Sequence, residues 1–275
     1  MAQGLSAIAQ IEFDAAVKAA YQSAGALRPH VRVKNNVTGS TTRFRRYARG
    51  QAQPRQPGTD VTVMNTQYAE AIATLTDWIA SEYTDKLDEV LVNFEERAIL
   101  AANIGSAIGR RMDQMIIDAL DTAYASPGIP LNASGLTDAK MRRAMSIFDS
   151  RAVPMGQRKM LISARGKEDL MAEQRFTSKD FVEQTVITTG NLPRLYGFDF
   201  IMIDDRDEGG LPLSGGTRTC FAFDMQAVGL AIGHDQALEV NYVAEKTSWL
   251  SAQMLKAGAV VIDPAGGIEI ATQEA

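Results

Sequence analysis

The sequence has one cysteine, Cys220, and only two histidines, His30 and His234, in 275 residues. A single thiol excludes an internal disulfide framework and is compatible with a reducing compartment. Zinc and iron sites want several Cys or His ligands at short spacing, and the sequence offers no such set. No apolar run approaches the roughly 18–20 residues that span a bilayer. The start, MAQGLSAIAQIEFDAAVKAAYQ, is amphipathic, carries Glu12 and Asp14, and lacks the basic start and apolar stretch of a signal peptide. Neither G-x-x-x-x-G-K-[ST] nor G-x-G-x-x-G occurs, so no phosphate-cradling loop is expected. Asp204, Asp205, Asp207 and Glu208 follow a strand but lack the spacing of a calcium loop. Adjacent acids such as Glu95 and Glu96 would point about 100° apart on a helix and cannot converge on one substrate. The sequence therefore predicts no catalytic residue, no cofactor and no metal.

What is present is a charge asymmetry. The net charge is −5 and 45% of the residues are apolar, enough for a sizeable core. From Arg28 to Thr59 there are eight Lys and Arg and no acid. From Asp60 to Glu96 there are nine carboxylates and one lysine, Lys86, a balance of −8. Ordinary solvated surface mixes its signs. The densest part is RFRRYARGQAQPRQPG (43–58), with Arg43, Arg45, Arg46, Arg49 and Arg55 beside Phe44 and Tyr47. Arginines interleaved with aromatics can hold phosphates and stack on bases, so a nucleic-acid-binding segment over 28–59 is one reading. The acidic block next to it favours another, in which the basic arm of one copy meets the acidic helix of the next and head-to-tail contacts close into rings.

Along the chain, residues 1–27 read as a short helix or arm, broken by Gly25 and Pro29. VRV, TTRFRRY and TDVTV alternate or are β-branched and flank RGQAQPRQPG, the pattern of an extended hairpin too polar to stand alone in water. Tyr68 to Ala80 has helical spacing. Thr84 to about Ala125 reads as one long helix, capped by Thr84, with Asp85, Asp88 and Glu89 where the dipole favours carboxylates. Leu87, Leu91, Phe94, Ala98, Ala101, Gly105, Ile108, Met112, Met115 and Ala119 would share one face. Some 40 residues of helix would measure ~60 Å, longer than a compact domain of this size needs. SPGIP ends it. A mixed region follows: a helix from Asp138, a strand at RKMLIS, a helix over 166–185, an apolar strand from Phe198 to Ile203 and a glycine-rich loop, DEGGLPLSGGTR. The last forty residues read as extended strands or a strand-helix-strand return.

This order of arm, polar hairpin, long spine helix, α/β region and return resembles the major capsid protein of tailed bacteriophages, the α+β Hong Kong 97-type fold. The resemblance covers essentially the whole chain. It is carried by FEERAILAANIGSAIGRRMDQMIIDALD (94–121), VPMGQRKMLIS (153–163) and TGNLPRLYGFDFIMID (189–204). The last is similar to the family's axial-domain pattern G-x-x-x-R-x-x-G-F leading into an apolar strand.

The resemblance implies an N-terminal arm over 1–30 and an extension loop over 31–77. It implies a peripheral domain over 78–136 and 236–275, with its spine at 84–125, and an axial domain over 137–235. It also implies a structural role, with copies assembling as hexamers and pentamers of an icosahedral shell around double-stranded DNA held without sequence preference. The protein would be made in the bacterial host cytoplasm and end in the virion, with no membrane partner. Residues 35–85 contain no lysine, so a family cross-link through an extension-loop lysine is not expected and the shell should be non-covalent. The short arm favours a separate scaffolding protein, alongside a portal, during assembly, the alternative being a chain already trimmed at its N-terminus. Contacts between copies are expected to pair Arg43, Arg45, Arg46, Arg49 and Arg55 with Asp85, Asp88, Glu89, Glu95 and Glu96. An encapsulin-type nanocompartment, which shares the fold and encloses enzyme cargo, is the alternative within this class.

Overall fold

In the computed structural model, residues 24–55, 57–58, 60, 63–86, 96–173, 190, 192–235 and 238–274 are described. Two five-stranded sheets, a two-stranded hairpin and three helices account for most of them.

The hub of the first sheet is β11 (Ser248–Val261), 14 residues long. One of its edges pairs antiparallel with β4 (Thr76–Asp85), from Ser248 opposite Asp85 to Ala257 opposite Thr76. Its other edge takes β10 (Glu239–Val243) and then β9 (Val228–Asp235), both antiparallel. β1 (Arg32–Lys34) adds in parallel to β9. The second sheet runs β12 (Gly267–Gln273), β8 (Thr217–Asp224), β5 (Arg158–Ile162), β6 (Asp199–Met202), with β7 (Leu213–Ser214) also on β8. Of the return segment, β10 and β11 thus lie in the first sheet while β12 lies in the second.

The hairpin joins β2 (Thr41–Tyr47) to β3 (Tyr68–Thr74), with Thr41 opposite Thr74 and Tyr47 opposite Tyr68. Its second strand is therefore not TDVTV but the stretch whose spacing reads as helix. Alanine and glutamate favour a helix over 68–80, yet pairing with β2 and β11 supplies a full set of backbone partners and overrides that weak preference. The same correction takes two residues from the expected spine: Thr84, expected as its cap, is 2% exposed within β4, and Asp85 ends that strand. Of the rest, the long helix α1 covers Glu96–Ala123, and residues 87–95 lie outside the described residues.

α1 lies across β11 and β4, with the Arg111 guanidinium 3.5 Å above the Trp78 ring centroid. Ile108, Met112, Met115, Ile116, Ile117 and Leu120 line its buried side. That side is continuous with Met141, Ala144 and Phe148 of α2 (Asp138–Ser150), Leu170 of α3 (Ala164–Ala172) and the inner residues of β5, β8, β9 and β12. One apolar core therefore runs through both sheets. Cys220 sits inside it on β8, and burial pushes its thiol up to about 11, so it packs as a small apolar residue.

Candidate inter-subunit surfaces

The first strand of the hairpin alternates. Thr42 and Phe44 turn inward and are buried, while Arg43, Arg45 and Tyr47 turn outward. Phe44 joins Val37, Ala73, Leu75, Ala231 and Ile262 in a small second apolar cluster. It can do so because β9 carries glycine beneath it: a Cβ on Gly229 would stand 2.9 Å from the Phe44 ring. The ribbon is thus seated on its own chain at its base. Its outward face is not covered, and Tyr47, Tyr68 and Ile72 are 70%, 65% and 54% exposed.

The five arginines divide. Arg43 and Arg45 both reach Glu70 on β3, at 3.0 and 3.3 Å, and remain two-thirds exposed. Arg46 pairs with Asp263, and Arg49 donates to the Arg151 carbonyl, so these two tie the hairpin to the turns beside β12 and α2. Arg55 lies exposed in the long loop. The carboxylates that these arginines meet in their own chain, Glu70 and Asp263, both lie outside the set expected from the sequence. Of that set, Asp85 closes β4, Glu96 opens α1, and Asp88, Glu89 and Glu95 lie outside the described residues.

A second open surface is the face of the β4–β11–β10 sheet turned away from α1. Ile79 stands opposite Met254 and Tyr83 opposite Leu250, with Ile79 63% exposed. Monomeric soluble proteins rarely leave such apolar groups contiguous.

Between these surfaces, Asp113 forms a buried junction on α1. Its carboxylate accepts from the backbone N–H of Ala26 and Leu27, at 2.8 and 2.9 Å, and pairs with Arg206 at 2.8 Å. The arm's last residues and the glycine-rich loop are thereby held on one turn of the spine. The acids of that loop serve ion pairs: Asp205 bonds Arg218 at 2.5 Å and Asp204 lies 3.5 Å from Arg206. Among the described residues no group of three His, Cys, Asp or Glu is placed to hold a metal ion. Among them, too, no helix is long and apolar enough to cross a membrane.

A seated but outward-facing ribbon, a long helix beneath a sheet and a second α/β sheet on a shared core together describe a subunit built to be covered by others. A family model for phage capsid proteins matches residues 5–274. The chain belongs to the phage capsid protein family. No curated protein sequence matches it significantly.

Solved structures agree on the fold. The capsid of cyanophage P-SCSP1u is similar with a TM-score of 0.77 and 17% identity, over 96% of this chain and 92% of that one. The head of Helicobacter pylori bacteriophage KHP40 gives 0.76 and 13% identity, over 96% and 95%. Mycobacterium phage Che8 gives 0.70 and 15% identity, over 94% and 95%. The phage capsid protein thus has the Hong Kong 97-type fold, and as a major capsid protein it is a structural component of the virion that assembles with copies of itself.

Sequence reading of this capsid protein missed Asp113, which the apolar spacing of α1 hides between Met112 and Met115. An acid on a predicted core face was the available signal, since buried carboxylates are kept only when paired. It also passed over Arg32 and Lys34, which β1 sets beside the hairpin.

Proposed function

We propose that this capsid protein builds the icosahedral head of a tailed phage as hexamers and pentamers, and that it encloses double-stranded DNA without sequence preference. It is made in the bacterial cytoplasm, assembles with a separate scaffolding protein and a portal, and performs no chemistry of its own. In this reading residues 31–77 act as the extension loop, with Arg43, Arg45 and Arg55 turned toward the acidic surface of a neighbouring copy.

The supporting observation is the outward face of the hairpin. Tyr47, Tyr68 and Ile72, together with Val63 at 82% exposure, present apolar area that the chain leaves in water. Copies that cover this face gain burial at every repeat of the shell. Each exposed ion pair adds only about 0–1 kcal/mol, so misplaced copies can leave while the complete ring persists. Negative-stain microscopy and sedimentation of the purified full chain should show shells or capsomer rings. A chain that stays a lone monomer across the micromolar range, both alone and when co-produced with the phage's scaffolding protein, would sink the proposal.

A further inference from the structure

β1 and the hairpin enclose a groove of about 700 Å³ with seven lining residues, among them Val33, Phe44 and Tyr47. The other four, Arg32, Lys34, Arg43 and Arg45, are cations, and the one carboxylate the described residues pair with them is Glu70, shared by Arg43 and Arg45. Arg32 instead lies 6.0 Å from the Phe44 ring centroid, and Lys34 gives its Nζ proton to the Thr42 hydroxyl at 2.7 Å. Neither contact neutralises a charge. The groove therefore carries a surplus positive charge in a chain whose total is −5, and its concave shape concentrates the field that draws anions in.

We infer that this groove is a carboxylate-binding seat, and that its occupant is the acidic β4 strand of a second copy of the chain. The inference rests on the shell reading above and deepens it. Two observations select the occupant. Glu82, which is exposed, and Asp77, which pairs with Lys256 at 3.2 Å yet keeps its side chain 77% exposed, stand on β4. Among the described strands β4 pairs only with β11, so no described strand takes its other edge. Such a ten-residue edge is a surface that proteins cover. The contact is heterologous, groove to edge, so each copy offers one half to either neighbour and a ring can close. The seat thus adds Arg32 and Lys34 to the arginines that the ribbon supplies, and leaves Arg46 and Arg49 to hold the ribbon's loop end to its own chain.

The test uses two charge-reversed full-length chains, Arg32→Glu with Lys34→Glu and Asp77→Lys with Glu82→Lys. Circular dichroism and thermal melts establish that each remains folded. All four positions are exposed; if a reversal unfolds the chain, Arg32→Gln with Lys34→Gln gives a smaller shift of the same sign. Each variant alone should need at least roughly tenfold more protein than the unaltered chain to assemble. An equal mixture of the two should recover six-membered rings, in which the variants alternate and each groove meets an edge of opposite charge, whereas a five-membered ring cannot alternate. Normal assembly of either variant, or a mixture that fails to recover, overturns the inference. So does a groove variant that assembles normally yet loses affinity for a double-stranded DNA fragment, which would assign the groove to phosphates. Failure of the unaltered chain to form any shell would instead strike the shell reading beneath it.

Discussion

Single side chains set the terms on which the two sheets share a core. Asp113 is 1% exposed, and removing it would leave two backbone N–H groups without their acceptor and the buried Arg206 guanidinium with only Asp204, 3.5 Å away. Glu269 on β12 is the opposite case. Burial raises its pKa, and the charge of Asp121 raises it further. A carboxyl whose folded pKa lies above its unfolded value binds its proton more tightly when folded. Its favourable contribution is complete below the unfolded value, near 4.3, and is lost as pH rises through the folded one. At neutral pH the buried charge is a net cost. Glu269→Gln should therefore raise the melting temperature at pH 7 and leave it unchanged near pH 4. Equal effects at both pH values would show that the carboxylate charge is not what the site opposes.

At the scale of elements, the spine is shaped by what crosses it. Gly25, with φ +85°, and Gly109 bring the arm against α1 so closely that a Cβ on Gly109 would stand 1.9 Å from the Ala24 carbonyl oxygen. Gly105, one turn earlier, has only the Gln253 Oε1 at 3.9 Å. In a helix interior alanine is favoured over glycine by about 1 kcal/mol. Gly105→Ala should thus stabilise the subunit by up to roughly 1 kcal/mol, whereas Gly109→Ala should destabilise it by displacing the arm. Denaturant unfolding of the two variants checks this, and a gain at Gly109 would mean that the arm does not press on the helix. The same helix shows what sequence could reveal. Its expected apolar face is legible at Ile108, Met112 and Met115, which are buried at a helical spacing, while Ile116, Ile117 and Leu120 widen the buried side beyond it. β3 and β4 were hidden because Tyr68–Ala80 is rich in residues that also suit a helix. Only the long-range registers with Thr41–Tyr47 and Ser248–Ala257 decide its conformation. For the inter-subunit surface, the basic and acidic blocks were visible as charge. Their division was not, since Arg46 finds Asp263 across 217 positions and Arg32 reaches the hairpin through a parallel strand pair with β9.

For the whole molecule, the two kinds of attraction available to copies respond to salt in opposite senses. The apolar faces of the hairpin and the β4–β11–β10 sheet attract by burial, which simple salt does not screen. The basic groove and the acidic strand attract through charges at exposed positions, where the Debye length falls from about 8 Å at physiological ionic strength to about 3 Å at 1 M. The subunit's own fold depends on the shared apolar core and on buried pairs such as Asp113–Arg206, which salt barely reaches. Raising sodium chloride from 0.05 to 1 M should therefore lower shell yield roughly tenfold or more, while the melting temperature of the unassembled subunit moves by only a few degrees. Light scattering and thermal melts on one preparation separate the two. A yield that holds or climbs with salt would assign assembly to the apolar faces alone and leave the segregated charges of residues 28–96 without a part in it.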